Sequence, residues 1–133
     1  MSTLAINTIS GQTAANSVVV TGEGGTTTTS LQQGLAKSWV NFNGQGTIAS
    51  RDSYNIASLT DSATGETGIN YTSNMGNSNY NATTIPRIND SIKGSVASFH
   101  ATSKIDVQSR ANSVTGTETD SDYNCYTIHG DLA

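Results

Sequence analysis

His100, His129 and Cys125 are the residues best suited to acid–base, nucleophilic or metal chemistry, and their spacing supports none of the three. A zinc site gathers three or four such ligands, usually two of them a few residues apart. Neither histidine has a second His or a Cys at that distance. Threefold symmetry would bring three copies of one histidine around an axis, a metal site that no single chain reveals; otherwise a histidine at a strand end is a solvated polar residue. The run "DSDYNCYTIHGD" opens like a calcium loop, with Asp120, Asp122 and Asn124 at alternate positions and Asp131 near its end. Cys125 stands where such a loop needs a glycine for its sharp turn, and the same residues alternate as a polar strand. No metal and no cofactor is expected.

Covalent catalysis has no more support. Serines and threonines are abundant, yet no Gly-x-Ser-x-Gly elbow follows a strand and opens a helix. Asp52, Asp61 and Glu66 offer carboxylates of the kind that glycoside hydrolysis pairs, but all three lie in or beside turns, where acidic side chains bond their own backbone. The glycine clusters "GEGG" and "NGQG" lack the lysine and the following helix of a phosphate cradle. An enzyme is not expected.

The elements that would position these residues are strands. Of 133 residues, 34% are hydrophobic and 12% charged, too few apolar groups for a large interior and too little net charge, −4, to hold the chain open as a disordered polymer. Ile, Val, Thr and Tyr joined by Gly, Asn and Ser are the vocabulary of strands and tight turns, and no window has the three-and-four spacing of an amphipathic helix. Six scattered Lys and Arg form no basic patch, so nucleic acid is not an expected partner. No apolar run approaches the ~20 residues that span a bilayer, so membrane insertion is not expected, nor does "MSTLAINTIS" read as a signal peptide. Cys125 is the one cysteine, which excludes an intrachain disulfide and suits a reducing cytosol.

Residues 3 to 9 read as a short strand in which Leu4 and Ile6 alternate with polar neighbours, and Val18 to Val20 as a second. Thr21 to Ser30, "TGEGGTTTTS", reads as a linker or extended arm. Residues 1–30 therefore form an N-terminal arm with a Gly/Thr-rich linker, and residues 31–133 a β domain. In the latter, Ala36, Ser38, Val40 and Phe42 share a core face, and Leu35, Lys37, Trp39, Asn41 and Asn43 the opposite one. Ile69 pairs in phase with Tyr71, and Ile105 with Val107. Turn signals recur at Asn43–Gly46, Thr60–Gly68, Ser73–Asn79 and Asn89–Gly94, with strand-like runs such as "DSYNIASL", "SVASFHATS" and "DYNCYTIHG" between them, and Pro86 is expected to break the sheet, either at an edge or where the chain crosses between sheets. The whole is an all-β chain, a β-sandwich or jelly-roll-like domain.

Each buried Val, Leu, Ile or Phe contributes only about 1.5 to 3 kcal/mol, against roughly 1 to 2 kcal/mol per residue of backbone ordering. This shortage points to a homo-oligomer in which Leu4, Ile6, Trp39, Lys37 and Asn41 lie against a sister subunit or another partner. The loops "NGQG" and "SNMGNSNY" present Asn43, Gln45, Asn74, Asn77, Asn79 and Tyr80, small polar groups with an aromatic platform suited to weak multivalent contact.

Leu31 to Tyr80, through "GLAKSWVNFNG", "RDSYNIASLTD" and "INYT" followed by "NMGNSNY", resembles a module of virion structural and tail-fibre-like proteins of tailed bacteriophages, especially those of marine bacteria and cyanobacteria. The opening "STLAINTI" resembles the start of many small proteins of that kind. The resemblance implies a β-rich homotrimer exposed on the phage particle and contributing to host attachment through host surface saccharide or protein. Its alternative is a capsid decoration (cement or head-fibre) or adaptor subunit. Other virion proteins would be partners through the N-terminal arm.

Overall fold

Short runs of Val, Ile, Thr and Tyr satisfy their backbone groups in ladders, and among the described residues twelve elements result. The computed structural model describes residues 3–14, 17–88, 91, 92, 94–111 and 116–133. In chain order the elements are β1 (Val19–Thr21), β2 (Thr28–Ser30), α1 (Leu31–Gly34), β3 (Ser38–Asn43), β4 (Ala49–Tyr54), β5 (Ile56–Ala63), β6 (Glu66–Tyr71), β7 (Asn81–Ile88), β8 (Ser91–Ile92), β9 (Gly94–His100), β10 (Lys104–Arg110) and β11 (Tyr123–His129). They divide into two compact units, Met1–Leu35 and Ala36–Ala133.

The first unit is a small antiparallel ribbon. Val20 pairs with Thr29 and Thr21 with Thr28, the turn between them closing through Gly22 N–H to the Thr27 carbonyl at 2.8 Å. The Ser30 hydroxyl caps α1 by accepting from the Gln33 N–H at 3.3 Å. Thr21–Ser30, expected as a linker or extended arm, is thus the turn and second strand of a hairpin: Thr21 pairs with Thr28 and Thr29 with Val20, and the glycines between supply the turn, Gly25 at φ 73°. The strand expected at residues 3 to 9 is absent; Leu4 and Ile6 are exposed and paired with nothing in a ladder.

The second unit is a sandwich of two antiparallel sheets, ordered β4-β3-β11-β7-β8 and β5-β6-β10-β9. Period-two alternation assigns the faces. Ser38, Val40 and Phe42 of β3, Tyr126 and Ile128 of β11, Ile69 and Tyr71 of β6, and Ile105 and Val107 of β10 all point inward and are buried. Met75 and Tyr80, from the connection between β6 and β7, complete the core.

One residue makes the turn from sheet to sheet. "DSYNIASL" reads as one strand, but the chain leaves the five-stranded sheet at Tyr54 and enters the four-stranded sheet at Ile56, with Asn55 between them at φ 58°. That left-handed conformation is tolerated by Asn far better than by most side chains. The Asn55 amide donates to the carbonyls of Lys37 and Ser73, both at 3.0 Å, and its Oδ1 accepts from the Ser73 N–H at 2.7 Å. A single side chain therefore ties the start of β3, the β4–β5 corner and the loop after β6.

At the opposite end of the sandwich, the Gly65 N–H donates to Asp120 Oδ1 at 2.6 Å and the Gly44 N–H to the Ser121 carbonyl at 2.9 Å. The buried hydroxyls of Ser109 and Ser121 bond each other there. Gly65 is compelled: at φ 72°, a Cβ would stand 2.5 Å from the Thr119 nitrogen. Pro86 does not interrupt the sheet but sits inside β7, buried, opposite Asn124. The described pairing of β7 with β8 sets Arg87 opposite Ile92 and Ile88 opposite Ser91. The turn expected at Asn89–Gly94 falls largely outside the described residues.

Replacing Asn55 by Ala should lower stability by roughly 4 kcal/mol, from about 1 kcal/mol for each of three lost hydrogen bonds and about 1 kcal/mol for the strain of positive φ. Asn55→Gly, which relieves only the strain, should lose measurably less. Urea unfolding of both variants reads the difference. The core also sets a pH limit. Burial raises the Tyr71, Tyr80 and Tyr126 hydroxyls above the ordinary value of 10.0, which holds them neutral in the folded state. Below pH 10 both states are protonated and the stabilisation is complete; above it the unfolded chain ionises first, so stability falls as pH rises, by up to about 1.4 kcal/mol per pH unit per tyrosine. Ionisation of these three core tyrosines, followed separately from the exposed Tyr54, should appear together with unfolding, not before it.

Candidate functional site

The inward face of the five-stranded sheet is committed to the core, so its outward face is where register brings distant residues together. The β3–β11 pairing sets Trp39 beside Thr127 and Asn41 beside Cys125. β4 adds Tyr54 beside Trp39 and Asp52 beside Asn41, while β7 adds Thr83 beside Thr127, Ile85 beside Cys125 and Arg87 beside Tyr123.

A β-bulge enriches this face. Between Asn41 and Phe42 the register with β4 slips by one residue, so that Arg51 is the extra one. Its guanidinium donates to Asn41 Oδ1 at 3.3 Å and to the Asp122 carbonyl at 2.5 Å, and its Cζ lies 4.7 Å from the centre of the Tyr123 ring. Arg87 Cζ lies 4.9 Å from the same centre. Tyr123 is thus held by two cations, each contact contributing on the order of 0.5 to 1 kcal/mol at a part-exposed site. Asn41 is fixed at both ends of its amide, accepting from Arg51 and donating to Cys125 Sγ at 3.7 Å. Trp39 is half-buried, while Tyr54 and Ile85 keep 52% and 55% of their surface in solvent.

The outer face of the other sheet is different in kind. Lys104 is paired with Asp106 at 2.9 Å, and the Asn70 amide bonds Ser58 and Thr60. Its polar groups are largely engaged with one another.

The sequence-predicted residues scatter over this framework. Trp39 and Asn41 lie on the aromatic face. Lys37 does not: it precedes β3, outside the alternation, and is buried at 5% exposure, so it does not frame an outward contact. Asn43 and Gln45 lie at the Gly65–Ser121 end of the sandwich, where the Gln45 side chain donates to the Asp120 carbonyl at 3.4 Å. Asn74, Asn77 and Asn79 are exposed in the loop after β6, at the Asn55 end. The two loops are at opposite ends and form no common surface. Tyr80 is not receptor-facing: it is 7% exposed, packs edge-on against Tyr71 with ring centres 6.1 Å apart, and its hydroxyl reaches the Ala101 and Lys104 carbonyls.

No known family, curated protein or solved structure matches this chain. Chemistry must therefore be read from the geometry. Asp120 and Asp131 stand beyond opposite ends of β11, which dissolves the calcium-loop pattern. Asp52 belongs to one sheet, Asp61 and Glu66 to the other. His100 stacks near Tyr80, its ring centre 5.0 Å away, while His129 ends β11 opposite Asn81. Among the described residues no three His, Cys, Asp or Glu side chains gather as metal ligands.

The residues that sequence reasoning missed are Tyr54, Ile85, Arg51, Arg87 and Tyr123. A usable signal lay in "DYNCYTIHG", whose second face is Tyr123, Cys125, Thr127 and His129; the partners from β4 and β7 needed the register. Arg51→Ala, which removes the stack and both hydrogen bonds, should cost about 2 to 3 kcal/mol. Tyr54→Ala, at an exposed edge, should stay within about 0.5 kcal/mol of the parent. Denaturant midpoints compare them directly.

Proposed function

We propose that this chain is a structural subunit of a bacteriophage particle, tail-fibre-like, that contributes to attachment of the particle to its host. The observation that carries the reading is the outward face of the five-stranded sheet, which the strand register assigns to Tyr54, Trp39, Tyr123 and Ile85, with Arg51 over the Tyr123 ring. Aromatic rings with hydrogen-bonding amides and guanidinium groups beside them suit saccharide or protein surfaces, because stacking and polar contact are made together at small entropic cost. Such contacts are individually weak, and several copies acting at once raise the effective affinity by orders of magnitude. The resemblance read from the sequence of Leu31–Tyr80 points the same way.

Purified protein should slow adsorption of the phage to host cells, and Tyr54→Ala should weaken that competition while leaving the denaturation midpoint within the range given above. Antibody against the protein should label the tail of intact particles in electron micrographs. Label on the head shell instead, with no competition for cells, would replace attachment by capsid decoration. Absence of the protein from purified particles would remove the reading altogether.

A further inference from the structure

The first unit has no interior. Among the described residues of Met1–Leu35 none is buried, yet they include Leu4, Ile6, Ile9, Val19, Val20 and Leu35, six of the nine large apolar side chains left exposed across the described structure. An isolated two-stranded ribbon is marginally stable at best in water, and this one has no apolar layer of its own to rest on.

Charge is missing from the same stretch. Glu23 is the one ionisable side chain up to Ala36, and the remaining six Lys and Arg and nine Asp and Glu all lie beyond it. The ribbon edges are also open. Natural sheets shield their edges with charges, bulges, prolines or very short strands, and the sandwich uses two of these devices. β4 carries Arg51, Asp52 and a bulge, β5 has two register shifts and Asp61, and β9 sits beside a shift. β1 and β2 carry no charge, no proline and no shift, and their three-residue length is the one shield they have.

We propose that Met1–Leu35 is a self-association module: ribbons from several copies of this chain pair edge to edge and pack Leu4, Ile6, Val19 and Val20 against one another. The choice of a second copy rests on charge. Recognition of a foreign surface is normally guided by complementary charges, and one carboxylate is all this stretch has. Identical, nearly neutral ribbons can meet around a symmetry axis without like-charge repulsion, whereas the acidic residues 36–133 of different copies repel. The proposal rests on the multivalent attachment reading and adds its partner; it also moves assembly away from the Trp39 face, which stays free for ligand.

Sedimentation equilibrium of the full chain over the micromolar range tests this. The parent chain should be a closed oligomer. Val20→Lys, which puts a charge on β1 without touching the ribbon's own hydrogen bonds, should weaken association at least tenfold, with the urea midpoint of the sandwich unchanged. Tyr54→Lys should leave the oligomer intact. A parent chain that is monomeric throughout, a Val20→Lys variant that sediments like the parent, or an oligomer broken by Tyr54→Lys in place of Val20→Lys would each overturn the proposal. A monomer that still competes with phage for cells would remove self-association and spare the attachment reading. An oligomer sensitive to Val20→Lys that binds neither cells nor particles would do the reverse.

Discussion

Burial of the two apolar sheet faces against each other is the interaction on which the rest of this molecule depends. Val40, Phe42, Tyr126 and Ile128 from one sheet and Ile69, Tyr71, Ile105 and Val107 from the other form one core, which Met75 and Tyr80 complete from the connection between β6 and β7. With large apolar groups scarce, tyrosine does part of the work of leucine. Tyr71, Tyr80 and Tyr126 bring large rings and hydroxyls into the core, and the hydroxyls of Tyr71 and Tyr80 bond each other while Tyr80 reaches two backbone carbonyls. Asn55 then sets how one sheet leads to the other, since the corner it occupies is also the point that fixes the loop after β6.

The outward face follows from the inward one. Once Val40 and Phe42 face the core, Trp39 and Asn41 must face out, and the β11 register brings Tyr123 and Cys125 beside them. The bulge at Arg51 adds a cation that strict alternation would have sent to the other side of the strand. The pair of guanidinium groups on Tyr123 then stiffens a surface whose outer members, Tyr54 and Ile85, make few demands on the fold and so remain available to another molecule.

Much of the sandwich was legible because period two is a strong signal: "SWVNFN", "KIDVQS" and "DYNCYTIHG" each announce their buried face. The β4–β5 corner was not, because "DSYNIASL" has no glycine or proline to mark a break and Asn55 alone makes it. The ribbon was hidden for a related reason, since a run of threonines has no apolar alternation to count. Lys37 and Tyr80 were misjudged because the polar ends of long side chains suggested exposure that their positions at the end of the sandwich do not allow. Of the candidate site, Trp39 and Asn41 could be read locally; Tyr54, Ile85, Arg51 and Arg87 join them only through pairing across strands distant in sequence.

The large apolar side chains left exposed are concentrated in the first 35 residues, whereas the buried apolar core among the described residues lies wholly in the rest. Amide hydrogen exchange of the full chain, followed as it is diluted, tests that division most directly. Amides of β3, β6, β10 and β11 should be protected equally at every concentration, while those of β1 and β2 should lose protection on dilution. Protection in the ribbon that survives to the lowest concentration, or protection in the sandwich that fades with it, would contradict the account.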